Sequence, residues 1–327
     1  MKRVVNAEPK QFSSAVFFSA SGIAVGESSC HPDDPDFRLG GKFGRYSLAF
    51  PRRALWIQPE HHAAFVADAT KITLYGPDDA FERRPIDPAG GHAEWITFSQ
   101  AVVQDVVASL GLRLGDRAER LVPRPYVSAM PSVFIAHRCL HDQVRDGALD
   151  AFGVEEAGVT LLAHTLAALS DAEPRRQSLR VGDRQHRLVQ DTCAYLNRTY
   201  KTGETLSMVA SAAGTSVFHL CRLFRRCTGK TLHQYRCDLR LRDAVSALDR
   251  DEVDVLTVAL DAGYSGHSHF TAAFRRAFDM TPSMFRELRR SGRLTDLVQR
   301  PAFLRRPQSS RSGKRRTEFT PTAAHEV

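Results

Sequence analysis

The chain has 327 residues, of which 43% are hydrophobic, and it carries a formal net charge of +8. This length and composition allow two folded domains and exclude a mostly disordered chain. No apolar run approaches the roughly 20 residues that a membrane-spanning helix requires. Six cysteines without a CxxC pair, and the lack of a secretory leader, predict a reduced, cytoplasmic protein.

The positive charge is unevenly distributed along the chain. Residues 1–182 contain 20 basic and 22 acidic side chains, residues 183–290 contain 17 and 12, and residues 291–327 contain 8 and 3. A basic region next to a slightly acidic one indicates a polyanionic partner for the basic region. An ordinary solvated surface gives the same balance, so charge alone does not exclude that alternative.

The first third of the chain has the pattern of an antiparallel β structure. Short β-rich segments, separated by Gly, Pro and Asp, predict a sandwich or barrel. These segments lie at residues 16–18, 45–50, 54–57, 63–67, 71–75 and 94–98.

Helical periodicity replaces this pattern after about residue 100. Apolar residues recur at helical spacing over residues 100–110, 132–145 and 154–170, which predicts accessory helices for packing or dimerisation. Residues 1–170 are therefore predicted to form a β-rich regulatory or dimerisation domain. The polar stretch 171–182 is predicted to be a linker, and the Arg- and Ser-rich residues 291–327 a disordered basic tail.

An internal repeat between residues 183 and 290 is the most specific signal in the sequence. In both copies, eleven positions separate the Phe that precedes Arg-Arg from a later aromatic residue that precedes Arg. The first copy contains Val209–Gly214, Leu223–Arg226 and Tyr235–Arg236, and the second contains Val258–Gly263, Ala273–Arg276 and Phe285–Arg286.

Each copy has the features of a helix-turn-helix unit. Gly214 and Gly263 can adopt the positive φ of a tight turn, and a small alanine precedes each of them in the first helix. The second helix of each unit is predicted to be amphipathic. Its inward residues are Leu220, Leu223, Phe224 and Cys227 in the first unit, and Phe270, Ala273, Phe274 and Ala277 in the second. Its outward residues are Phe218, Cys221, Arg222 and Arg225, and Ser268, Thr271, Ala272 and Arg275.

The remaining helices of this region complete an all-α domain. One helix is predicted over residues 187–200, and one long helix over residues 232–248 joins the two units. Thr281 can cap a last helix that has Pro282 in its first turn. The expected fold class is therefore α+β, with a β-rich front domain followed by two helix-turn-helix units on one long helix.

Residues 183–290 resemble the DNA-binding domain of the AraC family of transcription regulators. The sharpest match runs from Ala262 to Pro282, around the second recognition helix. The front half resembles the cupin-like sensor or oligomerisation domain of that family, especially over residues 46–56. The resemblance implies a transcription regulator that binds specific sequences of double-stranded DNA. It also implies control through dimerisation, a small effector, or both, with RNA polymerase as a further candidate partner.

The resemblance also implies which side chains face the bases. These are Phe218, Cys221 and Arg222 in the first recognition helix, and His267, Ser268, His269 and Ala272 in the second. The sequence departs from the family pattern at Ala272, where a long polar side chain is frequent, and at Asp279, where glycine is usual. Base reading is therefore expected to depend mainly on Arg222, and the Asp279 turn is expected to be slightly strained.

Two arginine pairs occupy equivalent positions in the two copies. Arg225-Arg226 and Arg275-Arg276 are predicted to contact phosphates, because their placement repeats, although exposed charge pairs commonly do no more than solvate a helix. Phe218 either contacts a thymine methyl group or covers the neighbouring turn, and the sequence does not separate these alternatives.

No metal or cofactor is expected. His267 and His269 point about 200° apart on a helix and cannot share one ion. His137 and His141 could face one metal, but without an evident third ligand they are interpreted as a surface or interface pair. His31, His61, His62 and His92 in the β-rich half do not form an HxH motif followed by Glu, which argues against a cupin-type metal enzyme.

Two other classes of function remain as alternatives. One is an enzyme, either the cupin-type metal enzyme or a DNA-repair protein with Cys30 or Cys139 as nucleophile, for which Cys30-His31 is the only adjacent thiol and base. The other is an interaction module whose helical units bind another protein. Salt-dependent binding to random duplex DNA separates the latter from a DNA-binding regulator.

Overall fold

The computed structural model describes residues 13–20, 22–40, 44–112, 124–176, 182–249 and 252–291. In these ranges strands precede helices along most of the chain, and the fold class is α+β as predicted. The predicted basic tail lies, apart from Ser291, outside the described residues.

Within these ranges the strands form two antiparallel sheets. The strands are β1 (Ser13–Ala20), β2 (Ile23–Cys30), β3 (Leu39–Gly40), β4 (Tyr46–Arg53), β5 (Leu55–Pro59), β6 (Phe65–Ala67), β7 (Lys71–Tyr75), β8 (Phe81–Pro85), β9 (Gly91–Phe98) and β10 (Tyr126–Ser128). The larger sheet has the order β1-β2-β9-β4-β7-β10, and the smaller has the order β3-β8-β5-β6.

Four strands, β2, β3, β8 and β10, are absent from the sequence-based prediction. β2 contains Gly, Ser and Glu, which have low strand propensity, yet it pairs with both β1 and β9. A Cβ at Gly26 would meet the Trp95 ring and the Ala15 carbonyl oxygen, so glycine permits a close approach at this point. β8 carries the polar sequence FERRP, and its pairing with β5 and β3 stabilises it.

Helices cover the larger sheet and build the second half of the protein. They are α1 (Gln100–Ser109), α2 (Pro131–Arg145), α3 (Ala151–Arg176), α4 (Asp183–Thr199), α5 (Leu206–Ala212), α6 (Val217–Thr228), α7 (Leu232–Leu248), α8 (Val255–Asp261), α9 (His267–Phe278) and α10 (Pro282–Arg290). Among the described helices, none combines the length and apolar character needed to cross a bilayer.

The helix bounds agree with the periodicity to within a few residues, and they differ most at the end of α3. α7 has the predicted bounds, and Thr281 caps α10 by accepting a hydrogen bond from the Met284 backbone N–H at 3.2 Å. α3 continues to Arg176, so residues 171–176 are helical and do not belong to a linker. The predicted linker therefore begins inside α3, and the division of the chain into domains stays a prediction. Residues 177–181 lie outside the described ranges.

The two halves share their hydrophobic cores. The core of the second helix-turn-helix unit continues into α2, where Phe134 and Phe278 stack with ring centroids 6.4 Å apart. The core of the first unit includes Val66 and Ile86 from the front half. Each helix-turn-helix unit is therefore attached to the β-rich half by buried apolar contacts.

Candidate nucleic-acid interface

The first unit consists of α5, a tight turn and α6. The Thr205 hydroxyl accepts a hydrogen bond from the Met208 N–H at 3.3 Å, and the Ser216 hydroxyl accepts one from the His219 N–H at 3.3 Å. Between the two helices Gly214 has φ +63°, a conformation that disfavours any residue with a Cβ. Two hydroxyl caps and one glycine thus define the angle between α5 and α6.

The second unit repeats this construction with α8 and α9. The Asp254 carboxylate caps α8 by accepting hydrogen bonds from the Leu256 and Thr257 N–H groups at 2.6 and 3.2 Å. Gly263 has φ +81°, and a Cβ there would lie 2.8 Å from the Arg240 guanidinium. Glycine is therefore required at this turn both by its backbone angle and by the neighbouring side chain.

The two recognition helices, α6 and α9, each bury one face. In α6 the buried residues are Leu220, Leu223 and Phe224, and Cys227 is half-buried. Phe224 meets Tyr235 of α7 edge-on, with centroids 5.4 Å apart. In α9 the buried residues are Phe270, Phe274 and Phe278, whereas the predicted inward residues Ala273 and Ala277 are only half-buried. Phenylalanine side chains from successive turns fill that core because they reach further than alanine.

The outer face of α6 is open to solvent. Phe218 is 76% exposed, Arg222, Arg225 and Arg226 are exposed, and Cys221 is half-exposed. Arg226 donates a hydrogen bond to the Gln185 side-chain oxygen at 2.6 Å, so α4 partly orients it. The exposure of Phe218 is inconsistent with packing over the neighbouring turn and leaves its ring available for a ligand.

The outer face of α9 carries shorter side chains. The exposed predicted residues on this helix are His267, Ser268, His269, Ala272, Arg275 and Arg276. His269 Nδ1 lies 3.2 Å from the Ser265 hydroxyl, and its ring meets Tyr264 edge-on. Thr271 differs from the prediction: it is half-buried and its hydroxyl oxygen is enclosed, since it follows the buried Phe270 at the edge of the packed face.

Both recognition helices end in a left-handed residue. Gly229 has φ +74° at the end of α6, and Asp279 has φ +58° at the end of α9. Asp279 is the one non-glycine residue with positive φ in the described ranges. The strain expected from the sequence is therefore located at the position where the first unit has glycine.

The helix α7 contributes to both units. Its residues Leu232, Tyr235 and Leu239 lie in the core of the first unit, and Leu241, Val245 and Leu248 lie in the core of the second. A continuous helix of 17 residues is about 25 Å long and is stiff. The relative position of the recognition helices is thus held by one rigid element.

His137 and His141 are not on the surface, which corrects the interpretation given to the pair. They are 1% and 0% exposed, facing Glu94 of β9 with nitrogen-to-oxygen distances of 3.5 and 3.7 Å. α2 lies against the larger sheet, and the i, i+4 spacing turns both rings toward it. Across the part of the chain that the structure describes, no three His, Cys, Asp or Glu side chains are arranged to hold a metal ion.

The cysteines considered as nucleophiles are buried. Cys30 donates a weak hydrogen bond to the Gly91 carbonyl oxygen at 3.8 Å. Burial, with a contribution from Asp142, raises the pKa of the Cys139 thiol above its ordinary value. A thiol with a raised pKa is a poor nucleophile at neutral pH.

Comparisons with known proteins place the helical half in a family. A family model described as a helix-turn-helix domain matches residues 209–288. The regulatory protein SoxS of Escherichia coli K12 is 34% identical over 100 residues, which cover 31% of this chain and 94% of SoxS. A second relative, the regulator GlxA of Rhizobium meliloti, is 41% identical over 85 residues, which cover 26% of this chain and 25% of GlxA.

Among solved structures, an AraC-type transcriptional regulator from Chromobacterium violaceum is similar over 32% of this chain and 93% of its own, with 24% identity and a TM-score of 0.31. The family model spans the residues from α5 to α10, which form both helix-turn-helix units. SoxS is matched over nearly its whole length. The chain belongs to the AraC family of DNA-binding transcription regulators.

Proposed function

We propose that α6 and α9 enter successive major-groove segments on one face of a duplex, about 34 Å apart. Phe218, Cys221 and Arg222 then face bases in the first segment. In the second segment the base-facing residues are His267, Ser268, His269 and Ala272. The arginine pairs Arg225-Arg226 and Arg275-Arg276 contact phosphates on either side, where they add affinity that does not depend on sequence.

One observation carries this proposal: both recognition helices bury their apolar face and leave the basic face exposed. Exposed charge on an amphipathic helix is by itself ordinary, because such a helix buries its apolar face and turns its charged face to solvent. Here the exposed faces occur on two equivalent helices, held by the same α7, and each includes an Arg pair at the same offset. A duplex presents phosphates and groove edges that recur with every helical turn.

Arg222 is the main sequence-reading residue in this proposal. It is exposed in the middle of α6, and a guanidinium can donate two hydrogen bonds to the edge of a guanine. Ala272 cannot donate a side-chain hydrogen bond, so α9 reads bases mainly through His267, Ser268 and His269. Phe218, with its ring exposed, supplies an apolar contact to a thymine methyl group.

The front half regulates DNA binding in this proposal, and the protein is not an enzyme. Control by dimerisation, by a small effector or by both is compatible with the contacts between the two halves. RNA polymerase is a further partner in this proposal.

The test is binding of the full chain to duplex DNA, followed by fluorescence anisotropy. We expect binding to random duplex to weaken as salt rises, and selection from a random pool to enrich one bipartite sequence. The double variant Arg225→Ala, Arg275→Ala should weaken binding to all sequences and reduce the salt slope by about two. The matched control is Arg45→Ala, Arg84→Ala, which removes two exposed arginines from the front half. Equal effects of the two double variants would contradict the proposed face.

A further inference from the structure

The two helix-turn-helix units have separate hydrophobic cores that meet along α7. Leu239 lies in the core of the first unit, which also includes residues of α4, and Leu241 lies in the core of the second. Apolar contacts are not directional, so this packing allows each unit to roll by a small angle on its part of α7. A directional contact between the units fixes their angle more strictly, and Arg240 lies between the two leucines.

Arg240 donates hydrogen bonds to both sides of this junction. Its Nε and one terminal nitrogen donate to the Tyr200 and Thr202 carbonyl oxygens at 2.5 and 3.3 Å, in the loop that joins α4 to the first unit. Its other terminal nitrogen donates to the Gly263 carbonyl oxygen at 2.7 Å, in the turn between α8 and α9. One planar guanidinium thus connects the loop before the first unit to the turn within the second.

The loop and the turn approach each other closely around this guanidinium. A Cβ at Gly263 would lie 2.8 Å from the Arg240 guanidinium and 3.0 Å from the Lys201 carbonyl oxygen. Arg240 also lies over the Tyr264 ring, with 6.0 Å between Cζ and the ring centroid, and this ring meets that of His269 in α9 edge-on. Because Arg240 contacts two successive residues just before α9, it orients the start of that recognition helix.

The loop before the first unit is also anchored to α7 by Asp243, about one turn after Arg240. Lys201 Nζ lies 2.7 Å from a carboxylate oxygen of Asp243. Burial, followed by the charge of Asp243 and a hydrogen bond with it, raises the pKa of the Tyr200 hydroxyl. Asp243 thus holds the loop where Arg240 reaches its carbonyl oxygens.

We propose that Arg240 determines specificity by fixing the angle between the two units, so that the protein accepts one spacing between the contacted segments of DNA. This inference rests on the proposed entry of α6 and α9 into successive major-groove segments, and it adds what makes their spacing selective. Arg240 is a positioning residue in this proposal, because it acts through the turn before α9 and need not touch a base.

The geometry of a duplex shows why the angle matters. Inserting one base pair between the two segments moves the second segment by about 3.4 Å along the duplex axis and rotates it by about 35° around that axis. Two units joined rigidly cannot follow this change, so only one of them stays in its groove. The affinity gained from simultaneous binding of both units is then lost. Units that can roll on α7 follow the change in part and keep more of that affinity.

The experiment measures the affinity of the full chain for three duplexes by fluorescence anisotropy. The first is the bipartite sequence selected from the random pool, the second has one base pair inserted between its segments, and the third has one segment replaced. For the parent, we expect the insertion to weaken binding by at least about tenfold, toward the affinity for the third duplex. Arg240→Lys keeps the positive charge but loses the planar donor fork, so the insertion should weaken its binding by less than about threefold.

Arg236→Lys is the matched control. Arg236 lies about one turn before Arg240 on α7 and donates to the Glu204 carbonyl oxygen at 2.9 Å, just before the first unit. Its variant should keep the insertion penalty of the parent. Asp243→Ala, at a half-buried position, releases the loop and leaves Arg240 in place, and it should give an intermediate penalty. Circular dichroism checks the fold of each variant, and Asp243→Ala keeps the test decisive if Arg240→Lys does not fold.

The outcomes separate this inference from the function on which it rests. The inference is overturned if the parent tolerates the insertion but not the loss of a segment. It is also overturned if folded Arg240→Lys keeps the full penalty, or if Arg236→Lys loses the penalty to the same extent. In each of these cases the proposed groove contacts still stand. If selection yields no bipartite sequence, the groove contacts themselves are wrong, and the inference fails with them.

Discussion

The carboxylate of Asp68, between β6 and β7, accepts a hydrogen bond from the hydroxyl of Tyr235 in α7. The same carboxylate lies 2.9 Å from Lys71 Nζ and 3.2 Å from the Asn197 side-chain nitrogen of α4. Asp68 and Tyr235 are 0% and 3% exposed. One buried carboxylate therefore joins the larger sheet to two helices of the DNA-binding half.

Tyr235→Phe removes one donor from this network and keeps the ring. We expect the free energy of unfolding to fall by about 1.5–3 kcal/mol, because the lost hydrogen bond is to a charged, buried acceptor. Urea denaturation followed by circular dichroism measures the change. Tyr195→Phe, which removes a hydroxyl that donates to Glu204 at the surface, should have a smaller effect. Equal effects would show that Asp68 does not depend on Tyr235.

His137 should make stability depend on pH. Burial, followed by repulsion from His141, Arg138 and Arg52, lowers its pKa well below 6.5. The unfolded chain takes up the proton near pH 6.5, whereas the folded protein does so only at lower pH. The stability contributed by neutral His137 is thus complete above pH 6.5 and is lost as pH falls toward its folded pKa, with a slope of up to about 1.4 kcal/mol per pH unit.

The measurement is the urea midpoint between pH 7.5 and 5. His137→Gln should reduce the slope below pH 6.5, and the matched variant His61→Gln, at a position with a half-exposed side chain, should leave it unchanged. His92 has a pKa that burial also lowers, so part of the slope should persist in the His137 variant. An unchanged slope in His137→Gln would mean that His137 is already protonated in the folded protein.

Arg222→Ala should weaken specific DNA binding by about 1–3 kcal/mol and relax base preference at one position. Ala272→Arg, in α9, should instead add affinity and create a new preference at the second segment, since it supplies a donor where none exists. Selection from a random duplex pool gives both changes directly. If the two variants bound and selected the same sequences as the parent, the assignment of the groove faces would be wrong.

Phe218→Ala should separate folding from recognition. Its ring is largely exposed, so we expect the free energy of unfolding to change by less than about 0.5 kcal/mol. Affinity should fall for sites that contain thymine at the contacted position, and less for other sites. Phe224→Ala, in the buried face of the same helix, should instead destabilise the protein by about 3–5 kcal/mol. A large loss of stability in the Phe218 variant would place its ring in a packing role.

Asp279→Gly should relieve the left-handed backbone at the end of α9. Positive φ is costly for a residue with a Cβ, so glycine stabilises the folded state at this position. Glycine also gives the unfolded chain more conformational freedom, which offsets part of that gain. We therefore expect the free energy of unfolding to rise by up to about 1 kcal/mol. The reciprocal variant Gly229→Asp, at the end of α6, should lose a similar amount. Thermal unfolding of both variants checks the pair. A destabilised Asp279→Gly would show that the Asp279 carboxylate makes a contact worth more than the strain.

The recognition helices could be predicted from the sequence because their signal is local. Phe224 and Phe274 occupy equivalent offsets in two copies, and a repeat of this kind survives changes elsewhere. The Thr281 cap and the glycine turns at Gly214 and Gly263 are equally local signals, since each depends on only a few residues of chain. The twelve side chains assigned to the DNA face remain a prediction. All but two are exposed, Cys221 and Thr271 being half-buried.

The contacts between the halves could not be predicted, because they depend on tertiary packing. Glu94 lies far from Arg138 in sequence, and Asp68 lies 167 residues from Tyr235. A single Asp or His within an amphipathic pattern does not indicate whether its side chain is buried or which residue it contacts. For this reason the sequence favours a surface or interface pair at His137 and His141, although their i, i+4 spacing places both on one side of α2. The sequence does contain one signal for the partner of these histidines. In His92-Ala93-Glu94 of β9, alternate residues lie on one face of the strand, which places Glu94 on the same face as His92.

The single helix that serves both cores also determines how this regulator can change over evolutionary time. Inserting one residue into the middle of α7 would rotate one helix-turn-helix unit by about 100° and shift it by about 1.5 Å relative to the other. Such a change abolishes recognition in one step, whereas replacing an exposed side chain alters one base preference at a time. In the proposed complex, new target sites are therefore reached by replacing exposed side chains of α6 and α9 at constant spacing, and the distance between the two contacted segments of DNA stays fixed by the length of α7.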